Sequence, residues 1–283
     1  MGAPKVLAAG GLSFPEGPRW RDGWLYFSDV HNFQVMRVAE DGRLEKVVKV
    51  PHKPSGLGWL PDGRMLVVSM EDRKLMRLEG GKLRLHADLS QIAIWHCNDM
   101  VVDGAGRAYV GNFGWDLWTD RDSRVPAALA LVHPDGRIET AAEGLVFPNG
   151  SSVTPDGRSL IVAETFGARL TAFDIDEAGR LSNRRVWASM PQGAVPDGIS
   201  LDAEGAIWVA SPSSGEVIRL HEGGKVSARI KMETQAFACM LGGADGRTLF
   251  ICTAPAGTPE IHFELQAGRI ETVRVEVPHA GWP

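Results

Sequence analysis

The chain has few cysteines: Cys97, Cys239 and Cys252 make an odd count of three in 283 residues, with no Cys-x-x-Cys spacing. That excludes a disulfide framework and a thiolate zinc site, and points to a reducing compartment. There is no run of eighteen apolar residues, the minimum for a spanning helix. The first fourteen residues show no secretory hydrophobic core, and Val6 stands where a myristoylation motif needs Ser or Thr. A cytoplasmic protein with no membrane partner is expected. A basic excess is also missing, since the formal charge is -5. No stripe for phosphate backbones follows from that balance, so no nucleic-acid partner is expected. Gly-x-Ser-x-Gly, His-Glu-x-x-His and Walker A motifs are all absent, which removes the serine-elbow hydrolases, the zincins and the P-loop NTPases. Asp174-Ile175-Asp176-Glu177-Ala178-Gly179 starts like an EF-hand loop. It lacks that loop's fifth ligand (Ala178) and its twelfth (Arg185), and reads as a wide hairpin.

Glycine and proline are abundant, at 33 and 17. Average usage would put them together at roughly 12% of residues. Such turn density favours many short strands. The strands repeat. An apolar segment, a glycine turn and a second apolar segment recur with openings at residues 16, 55, 98, 149, 197 and 238, spaced 39 to 51 apart. A second turn is expected in each copy at Gly42, Gly81, Gly136, Gly179, Gly224 and Gly268. Two hairpins per copy make four antiparallel strands, and six such copies predict an all-β, six-bladed β-propeller forming a single domain over 1–283. The register also sorts the four Pro-Asp-Gly triplets. Those at 61–63, 134–136 and 155–157 sit at hairpin turns, whereas 196–198 opens a blade.

The innermost strand of a propeller blade lines the channel. At its opening the six copies carry Glu16, Ser55, Asn98, Asn149, Asp197 and Ala238. Glu16, Asn98, Asn149 and Asp197 are hard oxygen donors suited to one divalent cation, Ca²⁺ first, with Mg²⁺, Mn²⁺ or Zn²⁺ open. The alternative is a set of solvated turn residues.

In Phe14-Pro15-Glu16-Gly17-Pro18-Arg19-Trp20, Asn98-Asp99-Met100-Val101-Val102-Asp103, Phe147-Pro148-Asn149-Gly150 and Pro196-Asp197-Gly198-Ile199, the chain resembles the senescence marker protein/gluconolactonase family, close to its bacterial lactonase-like members. The resemblance covers nearly the whole chain. It implies a six-bladed propeller with one divalent cation held by Glu16, Asn149 and Asp197, and Asn98 as a fourth ligand or a substrate contact. It further implies hydrolysis of a sugar lactone or other small lactone. One position departs: His96 stands where many members have an arginine that binds substrate. Two residues before Asn98, His96 is expected to share its strand face, and a largely neutral imidazole there disfavours acidic lactones.

Strand direction puts the loop after each second strand over the ion. Five such loops look short, at 29–33, 70–74, 165–168, 212–215 and 254–258. The third, 112–127, is long and carries Trp115, Trp118 and charged residues including Arg121. It is expected to act as a lid. His96, Asn98, Asp99, Trp115 and Trp118 are the expected substrate contacts. Asp197, Asn98 and His96 are the candidate catalytic residues, with Asp197 ahead of His96 as the base. Two rivals stay open: another reaction on a small carbonyl substrate, and a non-catalytic calcium-binding scaffold.

Overall fold

A computed structural model describes residues 2–120 and 122–281; Arg121 lies outside the described residues. Six four-stranded antiparallel sheets are arranged as a six-bladed β-propeller. The third blade shows the pattern: Cys97–Val102, Ala108–Asn112, Ala127–Val132 and Ile138–Leu145 run in order from the channel outward. The innermost strand is buried along its whole length, while the outermost alternates between half-buried and exposed. Burial on both faces of the second and third strands explains apolar runs such as Met65–Ser69 and Ala127–Val132. The solvated outer strands are rich in charged residues, as in Leu44–Lys49 and Lys82–Asp88.

The turn chemistry is as expected from the repeat. In the Asp-Gly-Arg turns the aspartate accepts from the arginine N–H two residues on, at 3.0 Å for Asp62, Asp135 and Asp156. The Asp174–Gly179 stretch is a hairpin, closed by Gly179 N–H donating to the Asp176 carbonyl at 2.9 Å. Pro196-Asp197-Gly198 opens the fifth blade, just before the strand Ile199–Leu201.

The sixth blade differs from the repeat. Its strands are Gln235–Gly242, Thr248–Ala254, Arg269–Arg274 and, outermost, Lys5–Ala9 from the start of the chain. Lys5 pairs with Thr272 and Ala9 with Arg269. Gly268 is therefore not the second hairpin turn; it lies at the end of the loop after the second strand. That loop is not short either. It holds an α-helix, α1 (Pro259–Leu265), capped by Thr258 with Pro259 in its first turn. Two long loops, at 113–126 and 255–268, thus rise on the face where the inner strands begin.

Candidate metal centre

The inner strands run side by side around the channel, and their openings converge. The close approach rests on glycines directly after four of the register positions. A Cβ on Gly150 would lie 2.6 Å from the Asp197 carbonyl oxygen, and one on Gly56 would lie 2.3 Å from the Met100 nitrogen. Gly17 and Gly198 are similarly confined. In the third blade this slot holds Asp99, which brings an extra carboxylate into the channel.

Glu16 and Asn149 both act on the Asp197 carboxylate, Asn149 through a side-chain hydrogen bond, and Asn98 is tied to Pro148, the residue before Asn149. Each amide donates its nitrogen to the protein: Asn98 Nδ2 to the Pro148 carbonyl and Asn149 Nδ2 to Thr165 Oγ1, both at 3.2 Å. Their Oδ1 atoms remain as acceptors. Asp197 is 8% exposed, and its Oδ1 is buried without a hydrogen-bond partner. Burial pushes the Glu16 carboxyl up to about 8, opposed by the Gly17 N–H, while the nearby Asp99 charge adds to the shift. Burial, then repulsion from Glu16 and Asp99, hold Asp197 well above the usual carboxylate range. Buried acids whose ionised forms repel one another, with one oxygen unsatisfied, are what a cation relieves. Among the described residues no three His, Cys, Asp or Glu side chains form a ligand group by themselves. The donor set is mixed carboxylate and amide oxygen, which fits a hard divalent ion. Cys239 and Cys252 are buried beside the acids, and burial pushes both thiols up, so they stay neutral.

Three residues that the sequence reading passed over hold the segments leading to the donors. Asp29 Oδ1 accepts from the Ser13 N–H at 2.8 Å and from the Phe14 N–H at 3.2 Å, just before Glu16. Glu164 Oε2 accepts from the Val146 N–H at 2.8 Å, before Asn149. Ser211 Oγ accepts from the Val195 N–H at 3.2 Å, before Asp197. Each ends the second strand of its blade. Comparing that position across the copies (Asp29, Ser69, Asn112, Glu164, Ser211, Ala254) would have exposed them.

The expected substrate residues separate. His96 does not share a strand with Asn98, because the strand begins at Cys97. Its carbonyl accepts from the Phe113 N–H, and its ring stacks on Trp95 with centroids 5.1 Å apart. Burial lowers its pKa, which keeps it neutral near pH 7. Asp99 Oδ1 is engaged by Arg19 at 3.1 Å and by the Met100 N–H at 2.8 Å. Trp115 is 5% exposed and packs on Phe147 and Phe166, so it anchors the long loop. Trp118, 43% exposed, stands on a turn whose Asp116 carboxylate accepts from the Trp118 and Thr119 N–H groups.

The sequence leaves seven histidines unassigned. Two of them meet on this face: His31 stacks on His262 of α1 at 5.5 Å, and Phe14 packs against both. Burial, with Lys53 and His262 adding, lowers His31 to about 3. The native protein therefore stays unprotonated at His31 while the unfolded chain takes up a proton below about 6.5. Stability falls as pH drops through that window. His31→Phe keeps the stack and removes the proton site. Between pH 8 and 5.5, urea unfolding should show wild type losing about 1 kcal/mol more than the variant. Equal losses would mean that His31 does not contribute.

A family model described as SMP-30/Gluconolactonase/LRE-like region matches residues 14–255. Regucalcin from Danio rerio is 28% identical over 256 residues, spanning 86% of this chain and 83% of the relative. A solved structure described as a calcium-binding protein, regucalcin, from Agrobacterium tumefaciens superposes with TM-score 0.84 at 22% identity, covering 99% of this chain and 96% of its own. A gluconolactonase from Xanthomonas campestris superposes with TM-score 0.75 at 24% identity, covering 97% and 89%. At these identities the two superpositions speak to the fold alone. No helix among the described residues is long and apolar enough to cross a membrane.

Proposed function

The chain belongs to the SMP-30/gluconolactonase/LRE-like family, and from that premise we propose that it is a divalent-cation-dependent hydrolase of a small, uncharged lactone. The observation that carries the reading is the unpartnered, buried Asp197 Oδ1 among Glu16 and the two oriented amides. Glu16, Asn149 and Asp197 would hold the ion, with Asn98 as a fourth donor or a substrate contact. The name calcium-binding protein given to a structural neighbour supports Ca²⁺ as the first choice. When bound, the cation supplies Lewis acidity at the lactone carbonyl oxygen.

The chain's own residues supply the rest. A water attacks the carbonyl carbon and Asp197 accepts its proton. The ring C–O bond then breaks, and Asp197 returns the proton to the leaving oxygen, giving the open hydroxy acid. His96, neutral at the mouth, offers one donor and one acceptor to a substrate hydroxyl or carbonyl. Trp118, exposed on the 113–126 loop, would offer an apolar surface to the substrate. The absence of a charged fork at His96 favours neutral over anionic lactones.

The test is a panel of neutral and anionic lactones assayed with chelator-treated protein before and after readdition of Ca²⁺, Zn²⁺, Mg²⁺ or Mn²⁺. Hydrolysis should fall at least about hundredfold on chelation, with circular dichroism unchanged, and return with one ion. His96→Ala should lower kcat/KM for neutral lactones about tenfold with ion content intact. Full activity of the metal-free protein would overturn the proposal. Ion binding with no turnover on any lactone would favour the scaffold.

A further inference from the structure

Arg19 lies inside the channel, 4% exposed, in the innermost strand of the first blade. Its guanidinium reaches beyond its own sheet. It donates to the Pro18 carbonyl at 2.8 Å, to Asp99 Oδ1 at 3.1 Å and to the Met100 carbonyl. Asp99 and Met100 belong to the third blade. The guanidinium therefore passes over the second blade's inner strand, where Gly56 has no side chain and has no room for one.

Asp99 sits in the slot that is glycine in four of the six copies, so its charge is an addition to the channel rather than part of the repeat. The acids at the channel top are Glu16, Asp99 and Asp197, which act on one another electrostatically. Arg19 is the cation among them. Once a bound ion has displaced the protons that burial favours on these acids, three carboxylates and one guanidinium leave a formal charge of minus two, equal and opposite to a divalent ion; the channel charges given below are for that ionised state.

We propose that Arg19 is a charge-setting residue for the cation site: its cross-channel pair with Asp99 holds the net channel charge at minus two and so makes the site select divalent over trivalent ions. The inference rests on the cation site proposed above. Its physical basis is that an added ion charge feels each fixed channel charge through a low-dielectric path, so changing the channel by one unit alters trivalent binding more than divalent binding.

Four variants at fixed pH separate charge from mechanics, with CaCl2 and LaCl3 titrated by calorimetry into the full chain. Arg19→Gln makes the channel minus three, and the ratio of La³⁺ to Ca²⁺ affinity should rise at least about tenfold. Asp99→Asn makes it minus one, and the ratio should fall by a similar factor. Arg19→Gln/Asp99→Asn restores minus two and should return the ratio to within about threefold of wild type, although both hydrogen-bonding partners are altered. Arg19→Lys keeps the charge without the fork and should leave the ratio near wild type even if the melting temperature drops. If Arg19→Gln does not fold, Asp99→Asn and Arg19→Lys decide the matter. Ratios that follow loss of stability rather than charge, or that do not move, would overturn the inference while leaving the cation site standing. Failure of wild type to bind either ion would overturn the site and this inference together.

Discussion

Asp197→Asn should lower Ca²⁺ affinity at least about hundredfold and at the same time stabilise the ion-free protein. Both effects have one cause. The carboxylate is buried, its Oδ1 is unpartnered, and Glu16 and Asp99 repel it. Without an ion that arrangement costs stability, and with one it supplies attraction at short range. The neutral amide removes the cost and the attraction together. Glu16→Gln should behave alike, and Asn149→Ala should weaken binding with less gain in ion-free stability, since no charge is removed. The pH dependence has a definite sign. Glu16 has its pKa raised in the native state, to about 8. The native protein holds a proton that the unfolded chain has released above about 4.3, so ion-free stability is lost as pH rises from there through 8. Thermal melts with and without calcium are the measurement. Wild type should gain melting temperature with Ca²⁺, whereas Asp197→Asn should start higher and gain nothing. Unchanged calorimetric affinity in all three variants would rule out a shared ion.

Gly150→Ala should be among the most damaging single methyls in the channel. The added Cβ would meet the Asp197 carbonyl oxygen and the Ile199 nitrogen at 2.6 Å and the Gly198 Cα at 2.7 Å. All three are backbone atoms of the next blade, and none can rotate away. A cost of about 3 kcal/mol or more is expected. The shift would move the main chain that carries Asp197, so ion binding should fall beyond what the lost stability explains. Gly157→Ala is the control. That glycine has φ of +70° with open space around it, and it should cost only about 1 kcal/mol. Denaturant unfolding of both variants tests the contrast, and equal costs would show that the inner strands yield.

The candidate channel donors stand out in the sequence because the blades repeat in phase. Once Asp62, Asp135 and Asp156 mark hairpin turns, the openings fall into register and Glu16, Asn98, Asn149 and Asp197 stand out. What was not legible involves partners outside the repeat. Arg19 reads as one more strand residue; its pairing with Asp99 crosses an intervening blade, and local sequence contains no sign of that. His96 precedes its strand by one residue, a boundary finer than pattern reading can place. Helix α1 is seven residues long, too short to show amphipathic periodicity. Gly268 was mistaken for a hairpin turn because the outermost strand of its blade lies at the other end of the chain.

That last arrangement bears on how the protein is made. Synthesis is directional, so residues 5–9 leave the ribosome well before their partner strand Arg269–Arg274, and the Thr272 hydroxyl donates to the Lys5 carbonyl across 267 residues. Five blades can complete their own sheets as they emerge. The sixth has no outer edge until the earliest residues return to it, and until then Arg269–Arg274 presents unpaired N–H and C=O groups to any passing strand. Circle closure is thus the longest-range event in folding and the slowest to find by diffusion. The nascent chain is most exposed to mispairing after Arg269–Arg274 has emerged and before Lys5–Ala9 has returned to it.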